Sequence, residues 1–337
     1  MSTQTVRLGA IGTGGIFGAH ARNLKTIGDN QIVAVCDVSE PNRTKWVGQL
    51  SAVGYADINE MFDKEKGLDA VVVCTPPTVR LQVVEAASKH GIPVFFEKPP
   101  AFKIQDASSI LRIAEKTKLP VVVGFMYRYL PSVIRLKELI GDRPINLVQS
   151  SFFCPAATIW QLPGWFYIKE RSGGHILDQA VHVMDLIRHI AGDITLVHTL
   201  GNNIIRPKAA DFTIEDSSST SFRFASGASG THVHSWTHSE FTGFITVIGK
   251  DYRLTLHLDN SINGFVGETK IDETLSGAPQ GCSHHYFEMI AFLEAVRNKD
   301  FSKALSPYSD AAKSLATVLA MNESIESSKP IAVQLAL

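Results

Sequence analysis

The chain has 337 residues, which at ~150 residues per domain is about two domains, each large enough to bury its own core. Apolar residues make up 45% and charged residues 19%, with 32 Lys plus Arg against 33 Asp plus Glu, so a disordered chain is not expected and the overall charge commits it to neither nucleic acid nor an anionic membrane. No apolar run approaches the ~18 residues of a membrane span, and the Met1 to Thr5 start lacks the basic flank and apolar region of a signal peptide, so a soluble cytoplasmic protein is expected. The four cysteines are scattered without a C-x-x-C pair, which points to reduced core residues rather than a disulfide framework or a zinc cage.

The first third alternates β-rich apolar runs with helical patterns, as a parallel sheet wrapped by helices does. Strands are predicted at Val6 to Ile11, Gln31 to Cys36, Ala70 to Cys74, Pro93 to Phe96 and Leu119 to Gly124, with a short one near Tyr55. Ser39 with Pro41, Asp57 with Glu60, and Thr78 through Gly91 punctuate the helices between them. After Gly124 the rhythm changes. A helix from Pro131 to Gly141 is followed by a strand at Ile145 to Phe153, an aromatic loop with Trp160, Trp165, Phe166 and Tyr167, and a helix from His175 to Ala191. Strands then succeed one another without helices between them, at Leu196 to Ile205, Ser217 to Phe224, Gly230 to Trp236, Gly243 to Ile248 and Tyr252 to Leu258, as in an antiparallel sheet. Helices at Tyr286 to Asn298 and Ser309 to Ser327 close the chain. The predicted fold is α/β: a doubly wound parallel sheet over residues 1–125 and an α+β domain with an open, mostly antiparallel sheet over 126–337.

Gly12-Thr13-Gly14-Gly15-Ile16-Phe17 lies directly after the first strand and opens a helix, where glycines turn the chain tightly and bring backbone amides against a pyrophosphate. The third small residue of G-x-G-x-x-G is replaced by Phe17, with Gly18 one position late. Asp37 ends the second strand, where a carboxylate accepts hydrogen bonds from a ribose 2′-hydroxyl and repels a 2′-phosphate, favouring NAD over NADP. The alternative is that it only begins a turn before Ser39 and Pro41; the cofactor reading is preferred, and Arg43 nearby leaves NADP possible.

Glu97-Lys98-Pro99-Pro100 follows a strand at the carboxyl edge of the sheet, where open α/β folds place ligands. The prolines restrict the backbone there, so the Lys98 ammonium is aimed to donate to a substrate oxygen or, as readily, to a surface salt bridge. Asp178, His182, Asp185 and His189 are spaced 4, 3 and 4 apart and share one helix face. Asp178 and His182 make sense as a carboxylate-oriented base, whereas Asp185 and His189 fit a supporting or simply exposed position. His232 and His234 alternate on a strand without a third ligand, and His284 and His285 are adjacent and point apart, so no metal site is expected.

Taken together, the glycine loop, Asp37, Cys74-Thr75-Pro76-Pro77, Glu97-Lys98-Pro99, Arg128 and Gly173-Gly174 through Asp178 and His182 to Asp185 resemble the glucose-fructose oxidoreductase and inositol dehydrogenase family, Gfo/Idh/MocA, over nearly the whole chain. The resemblance implies a Rossmann domain followed by an α/β domain whose open sheet supports homodimers or homotetramers. Carried over position by position, it makes His182 the proton acceptor, Lys98 the group that binds and polarises the reacting hydroxyl, and Asp178 a substrate or orienting residue. Thr75 and Pro76 would line the cofactor cleft, Glu97 would lie near the nicotinamide, and Arg128 would contact sugar hydroxyls, with Trp165 as a wall for a sugar's apolar face. Phe17, Arg80 and His175 depart from the family pattern. The implied activity is NAD(P)-dependent oxidation of a sugar, inositol or related polyol; redox-assisted glycoside cleavage and a non-catalytic sugar sensor are the alternatives.

Overall fold

The computed structural model describes residues 5–334, so the leader-free start read from Met1 to Thr5 lies almost wholly outside the described residues. Two compact units are present, and the cut between them is not a single point in the chain: residues 5–129 are joined by Ala278–Ala312, while Leu130–Gly277 and residues 313–334 form the other.

The first unit is built on six parallel strands alternating with helices: β1 (Val6–Ile11), α1 (Phe17–Ile27), β2 (Asn30–Cys36), α2 (Glu40–Leu50), β3 (Val53–Tyr55), α3 (Ile58–Lys64), β4 (Ala70–Val73), α4 (Arg80–His90), β5 (Val94–Glu97), α5 (Ile104–Thr117) and β6 (Val121–Gly124). Their spatial order, β3-β2-β1-β4-β5-β6, is that of a Rossmann sheet, with the chain reversing direction around β1. Strands β4, β5 and β6 are buried on both faces, which is why they read as unbroken Val and Phe runs rather than alternating patterns. Part of the predicted punctuation is visible in atomic detail, although Ser39 makes no side-chain cap and α4 starts at Arg80 rather than at Thr78. Asp57 accepts the Glu60 N–H at 2.9 Å to cap α3, and Gly91 ends α4 in the left-handed region.

In the second unit α6 (Pro131–Ile140) precedes β7 (Leu147–Phe153), then come α7 (Lys169–Ser172) and α8 (Val181–Ala191). A run of strands comes next: β8 (Ile194–Asn202), β9 (Ser217–Phe224), β10 (Ser229–Ser235), β11 (Thr242–Ile248), β12 (Tyr252–His257), β13 (Ser261–Val266) and β14 (Thr269–Thr274). Together with β7 and the late strand at Ile331–Ala332 they form a nine-stranded sheet, all pairs antiparallel except β7 with β10. Helix α6 lies on β12 and β13. Strands β13, β14 and the Ile331–Ala332 pair escape the sequence pattern, because β13 carries polar Asn263 and Gly264 where a buried strand would be apolar and the last strand is only two residues long.

Two helices complete the chain before that last strand, α9 (His285–Asn298) and α10 (Tyr308–Ser327). Met289, Phe292, Leu293 and Val296 of α9 are buried in one cluster with Phe17, Ala21 and Leu24 of α1 and Phe95 of β5. That apolar contact draws Ala278–Ala312 into the first unit. The final helix, α10, belongs to the first unit as far as Ala312 and to the second from Lys313. No helix among the described residues is long and apolar enough to cross a membrane.

Candidate functional site

The carboxyl ends of β1, β2 and β4 enclose a cleft of about 480 Å³ in the first unit, lined by Gly12, Gly14, Asp37, Thr75 and Pro76 among others. Gly12 turns there at φ +76°, donating its N–H to the Cys36 carbonyl at 2.8 Å. A Cβ on Gly12 would stand 2.8 Å from the Thr75 nitrogen, so this position tolerates only glycine. At Gly14 and Gly15 the opposite holds: no atom lies within 4 Å of where a Cβ would be, leaving backbone open at the start of α1. A pyrophosphate cradle has these same two requirements, a tight turn and close backbone approach.

Asp37 ties this loop to β2. Its Oδ2 accepts the Thr13 N–H at 2.7 Å and the Thr13 hydroxyl at 2.8 Å, and Oδ1 accepts the Ser39 N–H at 2.8 Å. Arg43 donates to the Asp37 carbonyl at 2.7 Å rather than to its carboxylate. The two roles weighed for Asp37, turn former and cleft carboxylate, therefore coexist in one side chain. Phe17 fills the place of the missing small residue without entering the cleft: fully buried, it meets Trp46 edge-on at 4.8 Å. Trp46 in turn donates Nε1–H to the Thr13 carbonyl at 3.0 Å. Ile16 is partly exposed and makes no side-chain cap for α1.

At the end of β5 the Lys98-Pro99 peptide is cis. Arg80, fully buried, donates to the Lys98 carbonyl at 3.1 Å and weakly to that of Thr75 at 3.4 Å, pinning the Lys98 backbone beside the Thr75 turn. Burial lowers the Arg80 guanidinium to about 10 despite nearby Glu97, which leaves it charged at neutral pH. The Glu97 carboxylate accepts the Lys98 N–H at 3.1 Å and lies 2.5 Å from His20 Nε2 of α1. Burial raises the Glu97 pKa, but the His20 hydrogen bond and the charges of His20, His285 and Lys98 outweigh it and hold the carboxyl well below its usual range.

Arg128, expected at sugar hydroxyls, is buried, with Nη1 2.5 Å from the Leu305 carbonyl and 2.6 Å from an Asp310 carboxylate oxygen, so its guanidinium is engaged in holding its own unit together.

In the second unit the glycine pair is again a steric necessity. Gly173 and Gly174 both lie at φ +75°, and a Cβ on Gly173 would fall 2.3 Å from Leu177 Cδ2. Beyond the pair the chain does not form one regular helix. Ile176–Ala180 is a π-helical turn carrying Asp178, and α8 begins directly after it with His182 in its first turn. π turns recur at functional sites, and the wider turn rotates the side chains after it relative to those before. Gln179, in the same turn, is held by Trp236 Nε1–H at 2.7 Å and by the Cys154 thiol at 3.0 Å. Asp178 is half-buried and His182 buried.

The polar stripe does not run on as one functional line. Asp185 is buried and accepts the Ser314 hydroxyl at 2.6 Å, and Arg188 donates to the same Ser314 oxygen at 2.6 Å; the structure corrects the exposed option for Asp185. His189 is half-buried, with its carbonyl accepting from Lys137 at 3.2 Å. Trp165 is 42% exposed and stacked on Phe166 at 3.8 Å.

The unusual His175 faces inward, its Nε2 2.9 Å from Ser218 Oγ and its ring 5.1 Å from that of His234. His234 also lies 3.3 Å from His232, whose Nδ1 is 2.9 Å from Ser150 Oγ. Burial lowers His175 to about 4 and His232 to about 3 and pushes His234 well down, so all three are neutral: they pack the sheet face, in keeping with the alternation of His232 and His234. Burial raises Cys36 to about 12, in keeping with an inert thiol.

Sequence reasoning missed Trp46, Gln179 and, above all, His20 and Glu288. His284 and His285 do point apart, His284 toward Tyr127 and His285 toward Glu97. His285 lies in one cluster with His20, Glu97 and Glu288, a grouping that the sequence pattern did not bring together. The spacing of three between His285 and Glu288 was the available signal.

A family model described as "Oxidoreductase family, NAD-binding Rossmann fold" matches residues 6–125, and the GFO/IDH/MocA C-terminal domain model matches residues 138–255. The chain belongs to the Gfo/Idh/MocA family. It is an NAD-binding oxidoreductase family, and several of the relatives found carry inositol or sugar dehydrogenase names. Myo-inositol 2-dehydrogenase of Thermotoga maritima is 29% identical over 230 residues, 67% of this chain and 67% of that protein. Glucose-6-phosphate 3-dehydrogenase of Bacillus subtilis is 34% identical over 190 residues, 55% of this chain and 53% of that one, so the likeness spans little more than half its length. Among solved structures, levoglucosan dehydrogenase in complex with NADH superposes with a TM-score of 0.84 at 17% identity, covering 98% of this chain and 100% of the other. At that identity the likeness is one of fold.

Proposed function

We propose that this Gfo/Idh/MocA member oxidises a secondary alcohol of a sugar, inositol or related polyol, with NAD as hydride acceptor. The observation that carries the reading is the cleft at the β1 and β4 ends, which gathers Gly12, Gly14, Asp37, Thr75 and Pro76 from separate stretches of sequence. NAD, when bound, supplies the electron-accepting ring. Gly14 and Gly15 offer open backbone to its pyrophosphate, and the lone pairs of Asp37 not used by Thr13 and Ser39 accept from a ribose hydroxyl. A 2′-phosphate would meet that carboxylate, which favours NAD over NADP.

Alcohol oxidation requires a proton to leave oxygen as hydride leaves carbon. In this reading His182 accepts that proton, Asp178 orients the imidazole or binds substrate, and the Lys98 ammonium polarises the hydroxyl. Arg80 supports Lys98 by fixing its carbonyl. Trp165 offers an apolar wall to the sugar. Substrate contact by Arg128 is the weakest element, since its buried bonds already occupy it.

The second unit's sheet supports a homodimer or homotetramer. Leu196 and Leu200 of β8, Val233 of β10 and Leu147 of β7 stand on one open face with Ser219, Ser221 and Thr231. A weakly charged face of this kind suits a second copy of the chain.

The deciding experiment is a panel of sugars and inositols incubated with NAD or NADP and followed at the absorbance of the reduced nicotinamide. Stoichiometric NADH from at least one secondary alcohol is expected. Glycoside consumption without net NADH would replace this reading with redox-assisted cleavage, and no turnover with either cofactor across the panel would overturn it.

A further inference from the structure

The most unusual chemical feature of the first unit lies beneath its surface. His20 of α1, Glu97 at the end of β5, and His285 and Glu288 of α9 bring one nitrogen or carboxylate oxygen each to within 4.8 Å of one another. We propose that these four side chains bind a zinc-class divalent cation, which clamps the start of α9 to the end of β5.

The geometry fits such an ion. Bonds of ~2.0–2.2 Å in a tetrahedron place neighbouring ligand atoms about 3.4 Å apart. Glu97 Oε1 lies 2.5 Å from His20 Nε2 and 3.7 Å from His285 Nε2, values that bracket that spacing, and all four ligand atoms lie within 4.8 Å of one another. His285 and Glu288 are three apart on one helix and so share a face, as paired ligands on helices of metal-binding bundles do. Charge balances as well, because two neutral imidazoles, two carboxylates and one divalent ion sum to zero.

A second, independent observation points to a ligand. Glu288 is 1% exposed, and neither of its carboxyl oxygens has a hydrogen-bond partner. Buried polar atoms are almost always paired, and an orphaned carboxyl is costly unless something fills the gap. A cation there would give Glu288 the partner it lacks while sharing the Glu97 oxygen that now faces His20. His285, with 12% of its side chain exposed, provides the way in. Two imidazoles with two carboxylates suit zinc and its first-row neighbours better than magnesium or calcium, which prefer oxygen throughout.

This site does not depend on the redox reading, and its test uses no turnover. Full-length protein is stripped with a chelator, then titrated with Zn²⁺ by calorimetry and with Co²⁺ by visible absorption. The expected result is one equivalent bound, a Co²⁺ spectrum without thiolate charge-transfer bands, and a higher melting temperature in the metal-bound protein. Glu288→Gln and His285→Gln should each weaken binding at least about a hundredfold, since even supporting residues around a metal cost 10–100-fold. If one variant does not fold, the other answers the question. Failure of the wild type to take up one equivalent, or uptake unchanged in a folded variant, overturns the site.

Discussion

Thr13 gives both of its donors, the main-chain N–H and the hydroxyl, to the same carboxylate oxygen of Asp37. The acid at the end of β2 is thus a brace for the glycine loop as well as a surface of the nucleotide cleft. Asp37→Ala should lose about 1–3 kcal/mol of stability through the orphaned donors. It should also weaken NAD more than NADP. Calorimetric titration with both nucleotides checks this, and an unchanged preference would leave Asp37 as a turn residue only.

Lys98→Ala and His182→Ala should each lower turnover at least about a hundredfold on whichever polyol proves active, the usual size of a general acid-base effect. Nucleotide binding should survive in both, because neither side chain lines the cleft. Steady-state kinetics beside a nucleotide titration separates the two quantities. Wild-type turnover in either purified variant would remove that residue from the chemistry.

Gly12→Ala places a methyl group 2.8 Å from the Thr75 nitrogen at a positive φ. Strain of about 1–3 kcal/mol is expected, shared between a lower melting temperature and a distorted loop. Gly14→Ala meets no atom within 4 Å in the protein itself. It should therefore leave the melting temperature nearly unchanged while weakening nucleotide binding. Equal thermal losses in the two variants would contradict the cradle geometry.

The buried histidines of the second unit should make it acid-labile. His175 and His232 have pKa values lowered by burial to about 4 and about 3, and His234 is well below normal, against ~6.5 in the unfolded chain. Around His175, Glu215 and Asp216 work to raise the value and Lys169 to lower it, without overcoming burial. The unfolded state then binds more protons, so stability is full above about pH 6.5 and falls as pH drops toward the folded values. Each group contributes at most about 1.4 kcal/mol per pH unit in that window. Thermal unfolding between pH 7.5 and 5 should show the fall, and His232→Gln should flatten it. A slope equal to that of wild type would discount His232.

Much of the first unit was legible from sequence because its physics is local. Strands buried on both faces read as Val and Phe runs, Asp57 caps the helix it precedes, and Gly12 sits where only glycine fits. The glycine loop and Asp37 were legible for the same reason, lying at strand ends, whereas Thr75 and Pro76 were named only through the family resemblance. The π turn at Ile176–Ala180 was not, since no spacing rule distinguishes it from an α-helical start. Asp185 and Arg128 were hard to read for a shared reason: a charged residue near a motif suggests chemistry, yet their partners Ser314 and Leu305 are more than a hundred residues away in the chain. The His20, Glu97, His285 and Glu288 cluster joins three elements that only tertiary packing brings together.

The return of α9 to the first unit also bears on how the protein is made. A ribosome releases residues 5–129 long before Met289, Phe292, Leu293 and Val296, which are buried with Phe17, Leu24 and Phe95. During translation the nascent nucleotide-binding half therefore carries a sticky apolar flank that waits for nearly the whole remaining polypeptide to emerge. A fragment ending near residue 129 would keep that flank for good, and would be prone to aggregate rather than serve as a free-standing module.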